Sequence, residues 1–482
     1  MNPLIAVLNR KNQDATKTAI EMLRTLKLKD AQTYGISSPT TVKITHTPTE
    51  LERQTLDSPI INGCASRRIL KRDERQPLKL ERATLAFDGR IYAFKPEKSL
   101  TQVFAQKSPQ DNAETAKKLI KDIEGDFAFT IAESERLIAG RDSLGVRPLY
   151  FGQDKIHAAL ASQREVMWEI GMEPKSFPPG HIAFADRHSF RLKPVRTLAP
   201  PKPKKSTIQS SSRKLEMLLT QSVRQRTLGV KEVAVAFSGG LDSSIIAFLA
   251  KTLKADVQLI HVSIADQPET EHAKRAAEEL KLPIYSFAYT CEDVHETLTK
   301  VIRLIEKPDP LDTNIGIPVY WTAEKAAEMN LNVMLAGQGA DELFAGYKKY
   351  VDCYVRRGKK QVQQLLFRDI SNLHKTNFER DFKICSFHGV ELRLPFASYQ
   401  LTEFANDLPV ELKIERSEQT LRKLVLRQVA KNLGLPELIV RKTKKALQYS
   451  TGTNRLLKRI ARQKGLSVNH YLENVFRDSF KR

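Results

Sequence analysis

Glycines and carboxylates spaced around two short loops define the chemistry available to this chain. Residues 238–244 read Ser-Gly-Gly-Leu-Asp-Ser-Ser, after the apolar run 233–237 and before the apolar run 245–249. A short β-rich run, a glycine turn and a helix start make an anion cradle. Gly239 and Gly240 let the backbone approach a phosphate, and the N–H groups that open the helix face it. A Walker loop places Lys before Ser or Thr, whereas here Asp242 sits inside the loop. A carboxylate beside phosphates calls for Mg²⁺ between them. A strand–Gly-Gly–helix turn on its own is more often structural; Ser238 ahead of the glycines and Asp-Ser-Ser behind Leu241 favour the phosphate reading.

Residues 335–347, Leu-Ala-Gly-Gln-Gly-Ala-Asp-Glu-Leu-Phe-Ala-Gly-Tyr, form a companion loop. They follow a strand-like run, supply glycines, and place Asp341 and Glu342 at the start of a helix. In a parallel sheet both loops leave the carboxyl edge of their strands, where ligands bind. Asp242 and Asp341 can then share one Mg²⁺ on a pyrophosphate; the plainer role for Asp341 is a helix cap.

The first loop resembles that of the ATP pyrophosphatases, which cleave ATP between the α and β phosphates. Taken with the second, it resembles the synthetase domain of the asparagine synthetases. Two later strings agree. Residues 389–396, Gly-Val-Glu-Leu-Arg-Leu-Pro-Phe, are similar to the family's Glu-x-Arg-x-Pro-Phe segment, with Ser398 where Asp is usual. Leu421-Arg422-Lys423, followed by residues 435–449, is similar to its basic closing motif. The resemblance spans residues 215–455. It implies that ATP activates the aspartate side-chain carboxylate to β-aspartyl-AMP with release of pyrophosphate, and that ammonia then attacks the acyl-adenylate.

The same resemblance implies ATP binding by Phe237, Ser238, Gly239, Gly240, Leu241, Asp242 and Ser243, with adenosine held near Ile264, Ala336 and Gly337. It implies Mg²⁺ binding by Asp242 and Asp341. Lys444, in a run with Lys442 and Lys445, is expected to stabilise charge on the α-phosphate. Gln338, the other expected catalytic residue, stands where many relatives carry an acid; an amide can orient an amine but cannot take its proton. Arg393 and Arg422 are candidates for gripping the acid substrate, and each could equally pair with a structural acid.

The first half carries a second resemblance. Residues 124–129, Glu-Gly-Asp-Phe-Ala-Phe, and 140–150, Gly-Arg-Asp-Ser-Leu-Gly-Val-Arg-Pro-Leu-Tyr, look like the glutaminase domain that precedes this synthetase. That domain uses a cysteine directly after the initiator Met, with its own α-amine as base. Here Asn2 fills that position. Where the family reads Asn-Gly-x-Ile-Tyr-Asn, residues 88–93 read Asp-Gly-Arg-Ile-Tyr-Ala, so an oxyanion donor has become an acceptor. Cys64, inside the chain, is expected to be a small buried apolar residue. Glutamine hydrolysis by this chain is therefore not expected, and ammonia would come from solution or from a separate amidase.

These residues need a particular scaffold. Strand-like runs at 232–237, 256–264, 284–287 and 332–335 alternate with helical runs at 241–253, 271–280 and 293–305, predicting a parallel sheet with right-handed crossovers; a mainly helical pattern follows from about 345. Before residue 190 the β-like runs 4–8, 83–87, 90–94, 127–132, 136–139, 149–151, 155–161 and 181–185, with helical periodicity at 14–26 and 113–122, predict an α+β domain of layered sheets, Ntn-hydrolase-like by resemblance. The Pro-, Lys- and Ser-rich stretch 194–213 reads as a linker. The expected division is a glutaminase-like domain at 1–193, the linker, and an α/β synthetase domain at 214–482.

Bulk properties narrow the classes. The 482 residues suit two domains, and no apolar stretch reaches the ~20 residues of a membrane span. The first twenty residues lack a signal peptide's apolar block. Four scattered cysteines with no C-x-x-C pair argue against a zinc ribbon, an iron–sulfur site or a disulfide framework and suit the cytoplasm. The net charge of +22 invites polyanions, but the excess is spread out and lacks interleaved aromatics, so nucleic acid is not the expected partner. A homodimer fits the class. Three other readings stay open: a β-lactam-type or other amide-forming synthetase, a tRNA-modifying pyrophosphatase, and a noncatalytic paralogue.

Overall fold

Alternation of buried side chains organises the first half. The structure is a computed structural model describing residues 1–92, 111–265, 267–417, 421–443 and 451–480. It divides into two compact units, Met1–Leu198 and Ala199–Arg482. In the first unit seven strands form one antiparallel sheet in the order β11 (Lys175–Ser176), β9 (Tyr150–Gln153), β10 (His157–Ala161), β1 (Leu4–Asn9), β4 (Ile60–Ser66), β2 (Thr33–Ser37), β3 (Val42–Thr45). Six form a second: β13 (Phe190–Pro194), β12 (His181–Ala185), β8 (Leu137–Arg141), β7 (Gly125–Ala132), β6 (Thr84–Ile91), β5 (Leu78–Lys79).

Side chains of a strand point alternately to its two faces. Leu4, Ala6 and Leu8 of β1 therefore join Ala86, Ala128 and Ala132 of the other sheet in one core. Ile5 and Val7 turn outward onto Ala19, Met22 and Leu23 of the helix Thr16–Thr25. On the far side, Phe87, Phe127 and Phe129 pack on Ala116, Leu119 and Ile120 of the helix Asn112–Asp122. The layers run helix, sheet, sheet, helix, the layered α+β class that the strand pattern predicts. Two details differ. The runs expected at 83–87 and 90–94 are one strand, β6, whose ladder with β7 continues through Asp88 and Gly89; Phe94 lies outside the described residues. The central strand β4, broken in sequence by Asn62 and Gly63, has no counterpart among the expected runs.

The second unit is built on a five-stranded parallel sheet in the order β16 (Ile284–Tyr289), β15 (Asp256–Ile264), β14 (Glu232–Ala236), β17 (Val333–Leu335), β18 (Glu391–Arg393). The alternating pattern predicts this sheet except for β18, whose three residues are too few to show a period. After β17 the described chain is helical apart from β18. The helix Ile208–Thr227 begins inside the stretch read as a linker. Its serines cap and pack: Thr207 and Ser210 bond reciprocally at the N-terminus, while Ser211 and Ser212 are buried.

Candidate active site

Strand order fixes where the two loops meet. From β14 the chain moves outward one way to β15 and β16, then returns to the other side of β14 for β17 and β18. The switch point lies between β14 and β17, which pair at Ala234↔Met334 and Val235↔Leu335. Ligands of such sheets bind in the crevice at the carboxyl ends beside that point. Both glycine loops leave there.

The first loop turns tightly into the helix Leu241–Thr252. Gly239 has φ +66, and a Cβ on it would lie 2.8 Å from Cα of Ala273. A side chain is thus excluded by conformation and by the neighbouring helix Pro268–Leu280. The His272 ring nitrogen Nε2 lies 3.0 Å from the Gly239 carbonyl. Burial, then the nearby Lys442, lowers the pKa of His272, favouring its neutral form. Ser238 and Ser243 brace the turn: Gly240 N–H donates to Ser238 Oγ at 3.3 Å, and the Ser243 hydroxyl to the Gly240 carbonyl at 3.3 Å.

The two expected metal carboxylates come together on a residue that no spacing rule reveals. Lys423 Nζ donates to Asp242 Oδ2 at 2.6 Å and Oδ1 at 2.8 Å, and lies 2.6 Å from Asp341 Oδ1. Its side chain is only 3% exposed, so this is a largely desolvated triad. Arg422 also acts on Asp341 and Arg427 on Asp242, so what the pair offers a further cation is its remaining oxygen lone pairs rather than uncompensated charge. The donor set fits Mg²⁺, which takes one or two carboxylates and completes its shell with phosphate oxygens and water. Among the described residues no group of three or more His, Cys, Asp or Glu makes an all-protein metal cage. Glu342, the other acid of the motif, turns into the fold instead, where it accepts from Tyr347 at 3.0 Å and Asn377 at 2.9 Å. Burial, reinforced by Asp341, raises its pKa.

One cavity gathers most of the expected ATP-binding residues. Phe237, Ser238, Asp242, Ser243, Ala336, Gly337, Gln338 and Asp341 line it. Gly239, Gly240 and Leu241 form the turn beside it. Ile264 is buried at the end of β15 and is not part of the lining; Ile260, His261 and Val262 of that strand are. Lys444 and Lys445 lie outside the described residues. The described chain on either side is tied to this region: Arg427 Nη2 donates to the Lys442 carbonyl at 2.9 Å, and Ile264 N–H to the Thr451 carbonyl at 2.9 Å. Arg393 is spent on structure, with Nε 2.6 Å from Glu391 Oε1 and Nη1 2.6 Å from the Arg226 carbonyl, all buried. Arg422 feels the Asp341 carboxylate, although burial outweighs it and lowers the Arg422 pKa.

In the first unit, the Asn2 N–H donates to Asp88 Oδ1 at 2.8 Å, and Asn2 Nδ2 to the Phe87 carbonyl at 3.1 Å. Buried Arg147 stands 3.8 Å from the same Asp88 oxygen. Cys64 is fully buried in β4, with Sγ 3.4 Å from Ser66 Oγ; burial pushes its thiol pKa up to about 12. It has no thiolate to offer at neutral pH.

These positions can now be set beside known proteins. The family profile described as asparagine synthase matches residues 214–360 and 354–480, a span holding both loops and Lys423. This chain belongs to the asparagine synthetase family. A glutamine amidotransferase domain profile matches residues 65–169. A protein of Methanocaldococcus jannaschii assigned as a glutamine-hydrolysing asparagine synthetase is 28% identical over 541 residues, covering 100% of this chain and 99% of the relative. The glutamine-hydrolysing asparagine synthetase B of Escherichia coli is 26% identical over 310 residues, covering 61% of this chain and 55% of that protein. Asparagine synthetase 2 of Lotus japonicus is 26% identical over 349 residues, covering 68% and 58%. Over the last two, the asparagine synthetase likeness thus extends to little more than half of the relative's length. Among the described residues no helix is long and apolar enough to cross a membrane.

Proposed function

We propose that this chain adenylates the side-chain carboxylate of aspartate with ATP, releases pyrophosphate, and forms asparagine and AMP by attack of ammonia on the acyl-adenylate. The observation that carries this reading is the pairing of two glycine loops at the switch point of a parallel sheet, with Asp242 and Asp341 held on Lys423 between them. The loop N–H groups and the start of the helix Leu241–Thr252 receive the β and γ phosphates. Ser238 and Ser243 hold the turn that presents them. Asp242 and Asp341 would hold Mg²⁺, which when bound supplies positive charge to the departing pyrophosphate. Lys423 fixes both carboxylates in place beside the incoming polyanion. Ala336 and Gly337 leave room for adenosine along the cavity wall, and Lys444 supplies the cation at the α-phosphate.

The first unit is read as a structural module without glutaminase activity. Asn2 offers an amide where the amidotransferases use a thiol. Asp88, held by the Asn2 N–H and facing Arg147, presents an acceptor to a site that needs a donor for an oxyanion. Ammonia then comes from solution or a separate amidase, unlike what the names of the relatives say of those proteins. Partners are small molecules, with a homodimer as the oligomeric state the class suggests.

The test is isotope exchange between pyrophosphate and ATP. Exchange dependent on aspartate and Mg²⁺ is expected in the unaltered protein, and a fall of about a hundredfold or more in Asp242→Asn. Exchange without aspartate, or with another amino acid in its place, would redirect the assignment to a different acid.

A further inference from the structure

Gln338 and Asp381 are 43 positions apart and meet at the cavity wall, where Gln338 Nε2 lies 2.6 Å from Asp381 Oδ2. We propose that Asp381 is the base that takes the proton from the attacking amine, and that Gln338 positions this amine. The proposal rests on the adenylation reading above and names the residue that completes its second half.

The geometry settles the amide's orientation. An ionised carboxylate only accepts, so the NH₂ of Gln338 must face Asp381, and its carbonyl oxygen Oε1 turns to accept from an N–H in the cavity. An amide oxygen can hold an amine in line but is too weak a base to deprotonate it. Asp381 is the carboxylate in direct reach of that amide. Asp242 and Asp341, the acids at the phosphate end, are committed to Lys423. Glu269 and His261 line the cavity from the β15 side.

The groups around Asp381 suit a base. Arg380 Nε donates to Asp381 Oδ1 at 2.7 Å, while Arg380 Nη1 donates to Asp312 at 2.8 Å. Asp312 also pairs with Lys307. The guanidinium is therefore shared between two carboxylates rather than spent on one. Cys385, one turn along the same helix, is a buried thiol whose pKa is raised well above its ordinary value, so it stays neutral. Burial dominates the Asp381 environment and holds its pKa above the ordinary carboxylate range despite Arg380. A carboxylate moved toward neutrality is a better proton acceptor at working pH.

The step balances within the reactants. The ammonia lone pair forms the C–N bond at the acyl carbon and leaves a cationic nitrogen and an oxyanion. One N–H proton passes to the Asp381 carboxylate. The oxyanion re-forms C=O as the C–O bond to AMP breaks and the pair leaves on the phosphate. Asp381 then returns its proton to water.

The test separates the two half-reactions in Asp381→Asn. Aspartate-dependent pyrophosphate exchange is expected within about threefold of the unaltered protein, and asparagine formation at saturating ammonia to fall by about a hundredfold or more. The acid limb of the rate, expressed per concentration of free ammonia, is expected to vanish. Asp381→Glu keeps the carboxylate, and is expected to restore asparagine formation with that limb displaced; this variant decides the matter where Asp381→Asn fails to fold. Equal losses in exchange and amide formation would overturn the proposal in favour of a structural role. So would an acid limb unmoved by Asp381→Glu. No aspartate-dependent exchange in the unaltered protein would instead remove the adenylation reading, and this one with it.

Discussion

Lys423 and Lys413 show two fates for a buried ammonium. Lys423 is neutralised twice over and orders the site. Lys413 is 1% exposed, with Asp407 as the acid acting on it, and burial lowers its pKa from 10.5 to about 7. Its folded form loses the proton first, so the penalty for burying it is full below pH 7 and fades as pH rises toward the unfolded value of 10.5. Lys413→Met is therefore expected to stabilise the protein by about 2 kcal/mol near neutrality, with a smaller gain at alkaline pH. Denaturant midpoints at two pH values check this; a gain that grows with pH would contradict it. Residue-scale legibility was uneven for a physical reason. Asp242 and Asp341 sit in short strings whose glycines and acids announce phosphate chemistry. Lys423 lies 181 positions from Asp242, and Asp381 lies 43 from Gln338, separations that only the folded sheet closes.

Elements decide whether those residues meet. Gly346 has no chemistry of its own, yet a Cβ on it would lie 2.0 Å from Asp341 Oδ1 and 2.4 Å from Lys423 Cε. Gly346→Ala is expected to pull Asp341 off Lys423, costing about 2 kcal/mol of stability and about a hundredfold of pyrophosphate exchange. Thermal melting and the exchange rate measure the two effects separately; wild-type exchange in that variant would show that the triad is dispensable. The parallel sheet was readable because strands and helices alternate with clear periods. The first unit was less so. Its inner strands β1, β4 and β8 are buried on both faces, and β4 carries Asn62 and Gly63 where a continuous apolar run would mark it. The serine-rich stretch before residue 213 looks solvated by composition, but its hydroxyls cap a helix and pack beneath it.

At the scale of the whole molecule, the first unit is a layered fold in which the Asn2 N–H meets Asp88, and the second brings two glycine loops, Asp242, Asp341 and Lys423 to the switch point of its parallel sheet. The chain divides between Leu198 and Ala199, inside a stretch where proline and lysine replace apolar periodicity. The large positive charge is no guide to the reaction; it describes the surface, whereas the site is set by a few buried charges. The decisive measurement supplies ATP, Mg²⁺ and aspartate with either ammonium or glutamine, and follows pyrophosphate release together with asparagine by mass. Asparagine is expected from ammonium and none above background from glutamine. Equal asparagine from glutamine would contradict the loss of amidase chemistry at Asn2 and Asp88, and no pyrophosphate from either mixture would contradict the synthetase itself.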